Sequence, residues 1–219
     1  MLVREGIVFI ESSPSLGGSM ICLRHLLEHY AAECHVTLIS SVGSPFAELV
    51  PSSVDWLTVP NDLPAIKASR YLSLLLEIRV LWRYIKLFRK VRPKFVYLNN
   101  DTYSNRHAAA AAIFMGIPYL LHARGDIPKS RLSAIIVSRS QLNIAVSRYV
   151  KRQLDSLSQC SHKNIVIYDG VRIDSDPTMP ELSNGATGGL RFLHVGNFVG
   201  WKGQRLLVGA FAAFLESST

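Results

Sequence analysis

The sequence predicts an α/β fold: a parallel sheet covered by helices on both faces, followed by the start of a second domain. Three observations predict it. Short, continuous apolar runs recur along the chain, as a sheet buried on both faces requires. Stretches of helical periodicity alternate with them, the pattern of βαβ units. A segment rich in Pro, Gly, Ser, Asn and Asp, residues 171–189, then precedes a fresh strand-like run, "LRFLHVG".

The elements follow in order. "GIVFIES" (6–12) is the first strand. A glycine turn leads to a helix over 20–32, and "HVTLIS" (35–40) and "VDWLTVP" (54–60) are the next strands. A long helix covers 64–91, followed by the strand "KFVYLN" (94–99) and an alanine-rich helix over 104–116. Gly116 and Pro118 stop that helix. "PYLLHA" (118–123), a short helix near 128–138, "LNIAV" (142–146), a helix capped by Ser147 and "NIVIYD" (164–169) complete the series. The organisation expected is a first domain over 1–170, a linker over 171–189, and the first strand and helix of a second domain over 190–219.

The chain has 219 residues, 48% of them hydrophobic, enough for a sizeable core. Its 24 Lys and Arg against 16 Asp and Glu give a formal charge of +8, which favours anionic partners. The signatures of nucleic-acid binding (zinc finger, RNP segment, basic strand interleaved with aromatics) are missing, so nucleic acid is not expected as a partner. Cys22, Cys34 and Cys160 are widely spaced and read as reduced thiols, which fits a cytoplasmic location; no metal site is expected. Neither a secretory signal nor a run of 18 uncharged apolar residues is found.

In "FIESSPSLGGSM" the first strand ends in a turn carrying Gly17 and Gly18 at a helix start. Glycine permits positive φ and close approach of a ligand to the backbone, and a helix N-terminus favours negative charge. The turn matches neither common phosphate-loop pattern. A ligand-free tight connection is an equal reading of the turn by itself.

Four segments in order resemble the retaining glycosyltransferases of family 4. "SLGGSMICLRHLLE" resembles their opening glycine loop and helix, and "IAVSRYVKRQL" their strand, capping serine and helix. "VIYDGVRID" resembles the segment before their interdomain linker, with Asp169 where Asn is usual. "LHVGNFVGWKGQRLLVGAF" resembles the opening of their second domain. The resemblance implies a GT-B fold, two Rossmann-like domains with the active site between them. This chain would supply the N-terminal half and the opening of the other. The paired-glutamate motif of the family's second domain would fall beyond Thr219, so a fragment with little transferase activity alone is expected.

The resemblance also implies roles. The family transfers a sugar from a nucleotide-diphosphate donor to an acceptor hydroxyl with retention, usually without a metal or other cofactor. His122 matches a histidine near the transferred sugar; a satisfied buried histidine is the competing reading. Lys202, in "WKG", matches a lysine that contacts the donor diphosphate. Gly196 permits close backbone approach. Asn197 stands where many relatives have a phosphate-binding arginine and supplies no charge. Gly17 and Gly18 inherit a phosphate or acceptor contact. Arg124 and Asp126 follow His122 and either meet substrate or pair with each other.

The stretch 73–92 divides into an apolar stripe of Leu74, Ile78, Leu81, Ile85 and Phe88, and a basic side of Arg79, Arg83, Lys86 and Lys90. The stripe is expected to pack on the sheet. The basic side either is simply solvated or rests on anionic lipid headgroups. The expected function is therefore sugar transfer from a nucleotide sugar to a glycan or lipid-linked acceptor, in cell-envelope polysaccharide or glycolipid synthesis. The location expected is cytoplasmic, at or near the membrane. The alternatives are a GT-B sugar-nucleotide epimerase and a basic non-catalytic module for membrane or nucleic acid. A dinucleotide oxidoreductase would want G-x-G-x-x-G and an acidic residue after the second strand, where Ser40 and Ser41 stand instead.

Overall fold

The computed structural model describes residues 6–13, 17–60, 70–157, 161–170, 192–196 and 198–217. The elements are β1 (Gly6–Glu11), α1 (Gly18–Glu33), β2 (His35–Ser41), β3 (Asp55–Val59), α2 (Arg70–Val91), β4 (Phe95–Asn99) and α3 (Arg106–Met115). They continue with β5 (Tyr119–Ala123), α4 (Arg131–Arg139), β6 (Leu142–Ala145), α5 (Arg148–Leu157), β7 (Asn164–Val166) and α6 (Gln204–Ser217). The expected sheet is formed: seven parallel strands in the order β3-β2-β1-β4-β5-β6-β7. The strand order reverses between β1 and β4, the switch point beside which α/β folds place ligands.

Residues alternate between the two faces, as period-two strands must. Val8, Ile10, Val96, Leu98 and Leu121 join one core with α2, α3, α4 and α5. Phe9, Leu38, Tyr97, Leu120 and Ile144 join another with Met20, Leu23 and Leu27 of α1. The second face therefore has fewer helices, and near the carboxyl ends of its strands it carries polar residues.

Local chemistry sets the helix ends. The Ser147 hydroxyl accepts from the Val150 amide at 3.2 Å, and that of Ser130 from the Ser133 amide at 3.0 Å. Gly116 ends α3 in the left-handed conformation at φ 67°, so its missing Cβ is needed there. Gly17 has φ −159°, extended backbone open to any residue, so the conformational argument for it does not hold. What its missing side chain leaves is space: a Cβ at Gly17 or Gly18 would meet nothing within 4 Å. The short 3-10 turn at Pro45–Leu49, which seats the buried Phe46, has no counterpart in the sequence reading.

The expected stripe on α2 is corrected. The buried arc runs through Val80, Tyr84, Ile85 and Phe88, whereas Leu74 and Ile78 are 59% and 42% exposed. The reason is that α3 as well as the sheet packs on α2, and Glu77 turns toward Arg106 and His107 of α3. The helix is rotated accordingly. Residues 64–69, expected to open this helix, lie outside the described residues.

The chain divides into two compact units, Met1–Arg172 and Ile173–Thr219. In the second unit α6 is present as expected, but the described residues 192–195 form no strand. A strand is stabilised by pairing with a neighbour, and no strand among the described residues of this unit offers one. The expected linker, 171–189, lies outside the described residues.

Gly6 is the tightest glycine of the sheet: a Cβ there would lie 2.7 Å from the carbonyl oxygen of His35. Gly6→Ala is expected to lower the unfolding free energy by about 1–3 kcal/mol, and Gly17→Ala to leave it within about 0.5 kcal/mol. Urea denaturation of both variants checks this.

Candidate functional site

The registers Ile10↔Leu98, Asn99↔His122 and His122↔Ile144 bring Glu11, Asn99 and His122 into one row across β1, β4 and β5. All three lie near the carboxyl ends, on the α1 face. Each is buried. A buried carboxylate must be hydrogen-bonded, and Glu11 is. It accepts from the Ser13 amide at 2.8 Å, from Asn100 Nδ2 at 2.7 and 2.9 Å, and from Asn99 Nδ2. Asn100 holds this position in the left-handed region, at φ 78°. Such strain in a non-glycine residue is retained where surrounding contacts fix it.

Asn99 passes the constraint on. Its Oδ1 accepts from Arg124 Nε at 2.7 Å. The Arg124 side chain is 5% exposed, and its Nη1 donates to both Asp169 oxygens at 2.5 and 2.6 Å. One guanidinium nitrogen thus straddles the carboxylate in a charge-assisted contact. The tail after β7 is thereby tied to the loop after β5. Arg124 does not pair with Asp126, whose carboxylate accepts from Gln153 Nε2 at 2.9 Å.

His122 lines a cavity of about 460 Å³ with Arg124, Tyr168, Asp169 and, from α1, Cys22 and His25. Its Nδ1 meets the Tyr97 hydroxyl and lies 3.4 Å from Arg124 Nη2. Its Nε2 is buried and has no hydrogen-bond partner among the described residues. Burial, with the Arg124 guanidinium nearby, pushes the His122 pKa down to about 4, against the opposing pull of Asp169. Burial likewise drives the Tyr97 hydroxyl well above its ordinary range and raises the Cys22 thiol. The cavity thus offers the neutral imidazole of His122, and its guanidinium is already paired with a carboxylate.

Of the expected site residues, His122 and Arg124 share this cavity. Gly17 and Gly18 start the helix that brings Cys22 and His25 to it, but do not line it. Gly196 and Lys202 belong to the second unit and lie together there: a Cβ on Gly196 would be 3.8 Å from Lys202 Cδ. The Lys202 carbonyl accepts from His194 Nε2 at 3.1 Å, and Gly203 at φ 75° turns the chain into α6. Asn197 lies outside the described residues. The sequence reading missed Glu11, Asn99, Asn100 and Tyr97. An acidic residue closing an apolar strand was the available signal for Glu11; Tyr97 carried none.

A second cavity, of about 220 Å³, lies at the ends of β1, β2 and β3, lined by Ser12, Ser41, Tyr103, Ser104, Arg106 and His107 among others. Its cation is engaged. Arg106 forks onto Glu77 at 2.7 and 3.0 Å, and Glu77 also meets His107 at 2.5 Å. Hydrogen bonding from Arg106 lowers the Glu77 pKa, and burial, then the Arg106 charge, lowers that of His107. Among the described residues no group of three His, Cys, Asp or Glu is placed to hold a metal ion.

Residues 16–175 match glycosyltransferase family 4. The chain belongs to that family. Among solved structures it is similar to Anabaena Alr3699/HepE in complex with UDP, at 17% identity and a TM-score of 0.58, covering 76% of this chain and 44% of that one. It is also similar to the lipopolysaccharide outer core galactosyltransferase WaaB, at 16% identity and 0.57, covering 78% and 47%. The UDP-N-acetylglucosamine 2-epimerase of Rickettsia bellii matches at 15% and 0.54, covering 76% and 45%. At such identities the likeness establishes the fold, a Rossmann-like domain of GT-B type. The chain spans less than half the length of these proteins. No curated protein matches it.

Proton linkage at His122 is testable. Its folded pKa of about 4 lies below the ordinary value of 6.5. The unfolded chain therefore binds more protons between those values, and stability contributed by the neutral ring is complete above pH 6.5 and lost as pH falls toward 4. His107, also lowered, acts in the same direction. Comparing urea unfolding of the wild type and His122→Gln between pH 4 and 7 should show a shallower pH slope in the variant. Equal slopes would contradict a neutral buried His122.

Proposed function

We propose that this chain provides the acceptor-side domain, and the opening of the donor-side domain, of a nucleotide-sugar-dependent glycosyltransferase. It would act with retention in cell-envelope polysaccharide or glycolipid synthesis. In the transfer, the bond from the anomeric carbon to the diphosphate oxygen breaks and one to the acceptor oxygen forms with the same configuration. The acceptor proton leaves with the diphosphate.

The observation that carries this reading is the cavity around His122. It has a neutral, buried ring with an unpartnered nitrogen, and a guanidinium already matched by Asp169. Such a site suits the hydroxyls of a sugar better than a phosphate, which would demand uncompensated positive charge. The diphosphate then needs its charge met elsewhere. Lys202, beside Gly196 and two residues before α6, supplies an ammonium, and the α6 N-terminus supplies amide donors. Asn197 adds a neutral donor at most. Metal and organic cofactor play no part in the proposal. UDP as the donor nucleotide is supported by the complexes of HepE with UDP and with UDP-glucose.

Isothermal titration of the chain with UDP-glucose should show binding, weakened roughly tenfold or more by Lys202→Ala, the loss of one charge-assisted hydrogen bond. Heat with single-stranded oligonucleotides and none with UDP-glucose would overturn the reading. The epimerase alternative is separated by product: interconversion of the donor sugar without any acceptor.

Peripheral attachment to an anionic membrane through α2 is part of the same proposal. The outward side of the helix carries Leu74, Leu75, Ile78 and Trp82 beside Arg79, Lys86, Arg89 and Lys90. Glu77, the single acidic residue of α2, faces α3 instead. Apolar side chains flanked by cations suit the headgroup boundary of a bilayer. Among the described residues no helix is long and apolar enough to cross one. The wild type should co-sediment with phosphatidylglycerol vesicles and not with phosphatidylcholine vesicles. Leu75→Ser/Trp82→Ser should lose most of that binding; unchanged binding by this double variant would rule out α2 as the attachment face.

A further inference from the structure

Tyr97 and His122 are diagonal neighbours on one face of the sheet. Tyr97 registers with Leu120, so His122, two residues on, stands within reach of its ring. The rings meet edge-on, with centroids 5.8 Å apart and planes at 71°. Phe9, with its ring centroid 4.8 Å from that of Tyr97, packs against the tyrosine from β1. Both residues are more than nine-tenths buried.

The donors around Nδ1 decide the state of the histidine ring. A guanidinium has only donors, and Arg124 Nη2 approaches Nδ1. The Tyr97 hydroxyl, buried and held protonated, meets the same nitrogen. Nδ1 must therefore be the lone-pair nitrogen, and the ring proton resides on Nε2. That Nε2–H is the buried atom without a partner among the described residues. An unpaired buried donor is costly to leave unmet, a cost that a bound oxygen would remove.

We infer that Tyr97 is the positioning residue of this site: its hydroxyl donates to Nδ1 of His122, fixes the Nε2–H tautomer, and thereby makes the ring a hydrogen-bond donor toward the cavity rather than a base. The ligand atom it takes is a neutral oxygen acceptor, a hydroxyl or ether oxygen of a sugar. That last step rests on the nucleotide-sugar reading above; the state of the ring does not. The groups facing His122 are Tyr97 from β4, Arg124 from the loop after β5, and Asp169 from the tail after β7. Cys22 and His25 of α1 share its cavity.

Long-range ¹H–¹⁵N spectra of the ¹⁵N-histidine-labelled full chain test this, with the His122 signals assigned by their loss in His122→Gln. In the wild type at pH 7, Nδ1 should resonate as a lone-pair nitrogen and Nε2 as a protonated one. Tyr97→Phe keeps the ring and its packing. It should move Nδ1 toward the tautomer-averaged position and raise the titration midpoint of His122 by about one pH unit, because a bond to the neutral form is lost. A melting curve close to wild type would show that the change is not unfolding. A proton on Nδ1, an imidazolium at pH 7, or spectra unaltered by Tyr97→Phe would each overturn the inference. Addition of UDP-glucose should shift Nε2 and UDP should not. An Nε2–H ring indifferent to UDP-glucose would leave the positioning role of Tyr97 standing and overturn the nucleotide-sugar reading of the cavity.

Discussion

A carboxylate buried where the strand order reverses constrains everything near the site. Glu11 ends β1 with no solvent around it, so its charge must be met by hydrogen bonds or the strand end could not stay inside. Asn99, Asn100 and the Ser13 amide meet it. The consequence is mechanical. β1 and β4, already paired along their length, are also joined at their carboxyl ends. Asn100 is held in a conformation it would otherwise avoid, and Asn99 is left with one orientation, its amide nitrogen toward Glu11 and its oxygen toward Arg124.

From that orientation the rest of the site follows as a chain of hydrogen bonds, each using up one partner. Arg124 spends its Nε on Asn99 and one arm on Asp169, and its other arm reaches His122. Little positive charge is left for a phosphate. The histidine, approached by donors on one nitrogen, keeps its proton on the other. A basic chain has therefore placed a cavity with little unpaired charge around His122 and Arg124 at the carboxyl ends of its strands. Its excess charge lies elsewhere, notably on the outward side of α2.

That distribution is what the proposed sugar transfer asks of this unit, since neutral groups suit hydroxyl oxygens. A sugar held by neutral donors and a carboxylate can be released; a diphosphate needs fixed cations. The ion pair at Asp169 adds a mechanical feature, since it anchors the last described residues of the first unit against the loop that carries Arg124. The Asp that replaces the family's usual Asn at this position is what makes the anchor an ion pair.

Local patterns fix the elements of the sheet: apolar runs and helical periodicity mark its seven strands and their helices, and Ser147 and Gly116 mark helix ends because caps act within a few residues. That His122 and Arg124 line one cavity follows from their place at the end of a strand, which is a local property. Tertiary structure decided what depended on neighbours. The buried side of α2 departs from the helical-wheel stripe because periodicity does not show what packs on a helix, and α3 turns this one away from Leu74 and Ile78. Gly17 sits in extended backbone open to any residue, because the turn around it, not glycine itself, sets its conformation. Glu11, Asn99 and Tyr97 gained their importance from strand register, a pairing of residues some 25 to 90 positions apart, roughly the separations of the hydrogen bonds they make. No local pattern encodes that register; it is set when both faces of the sheet are buried at once.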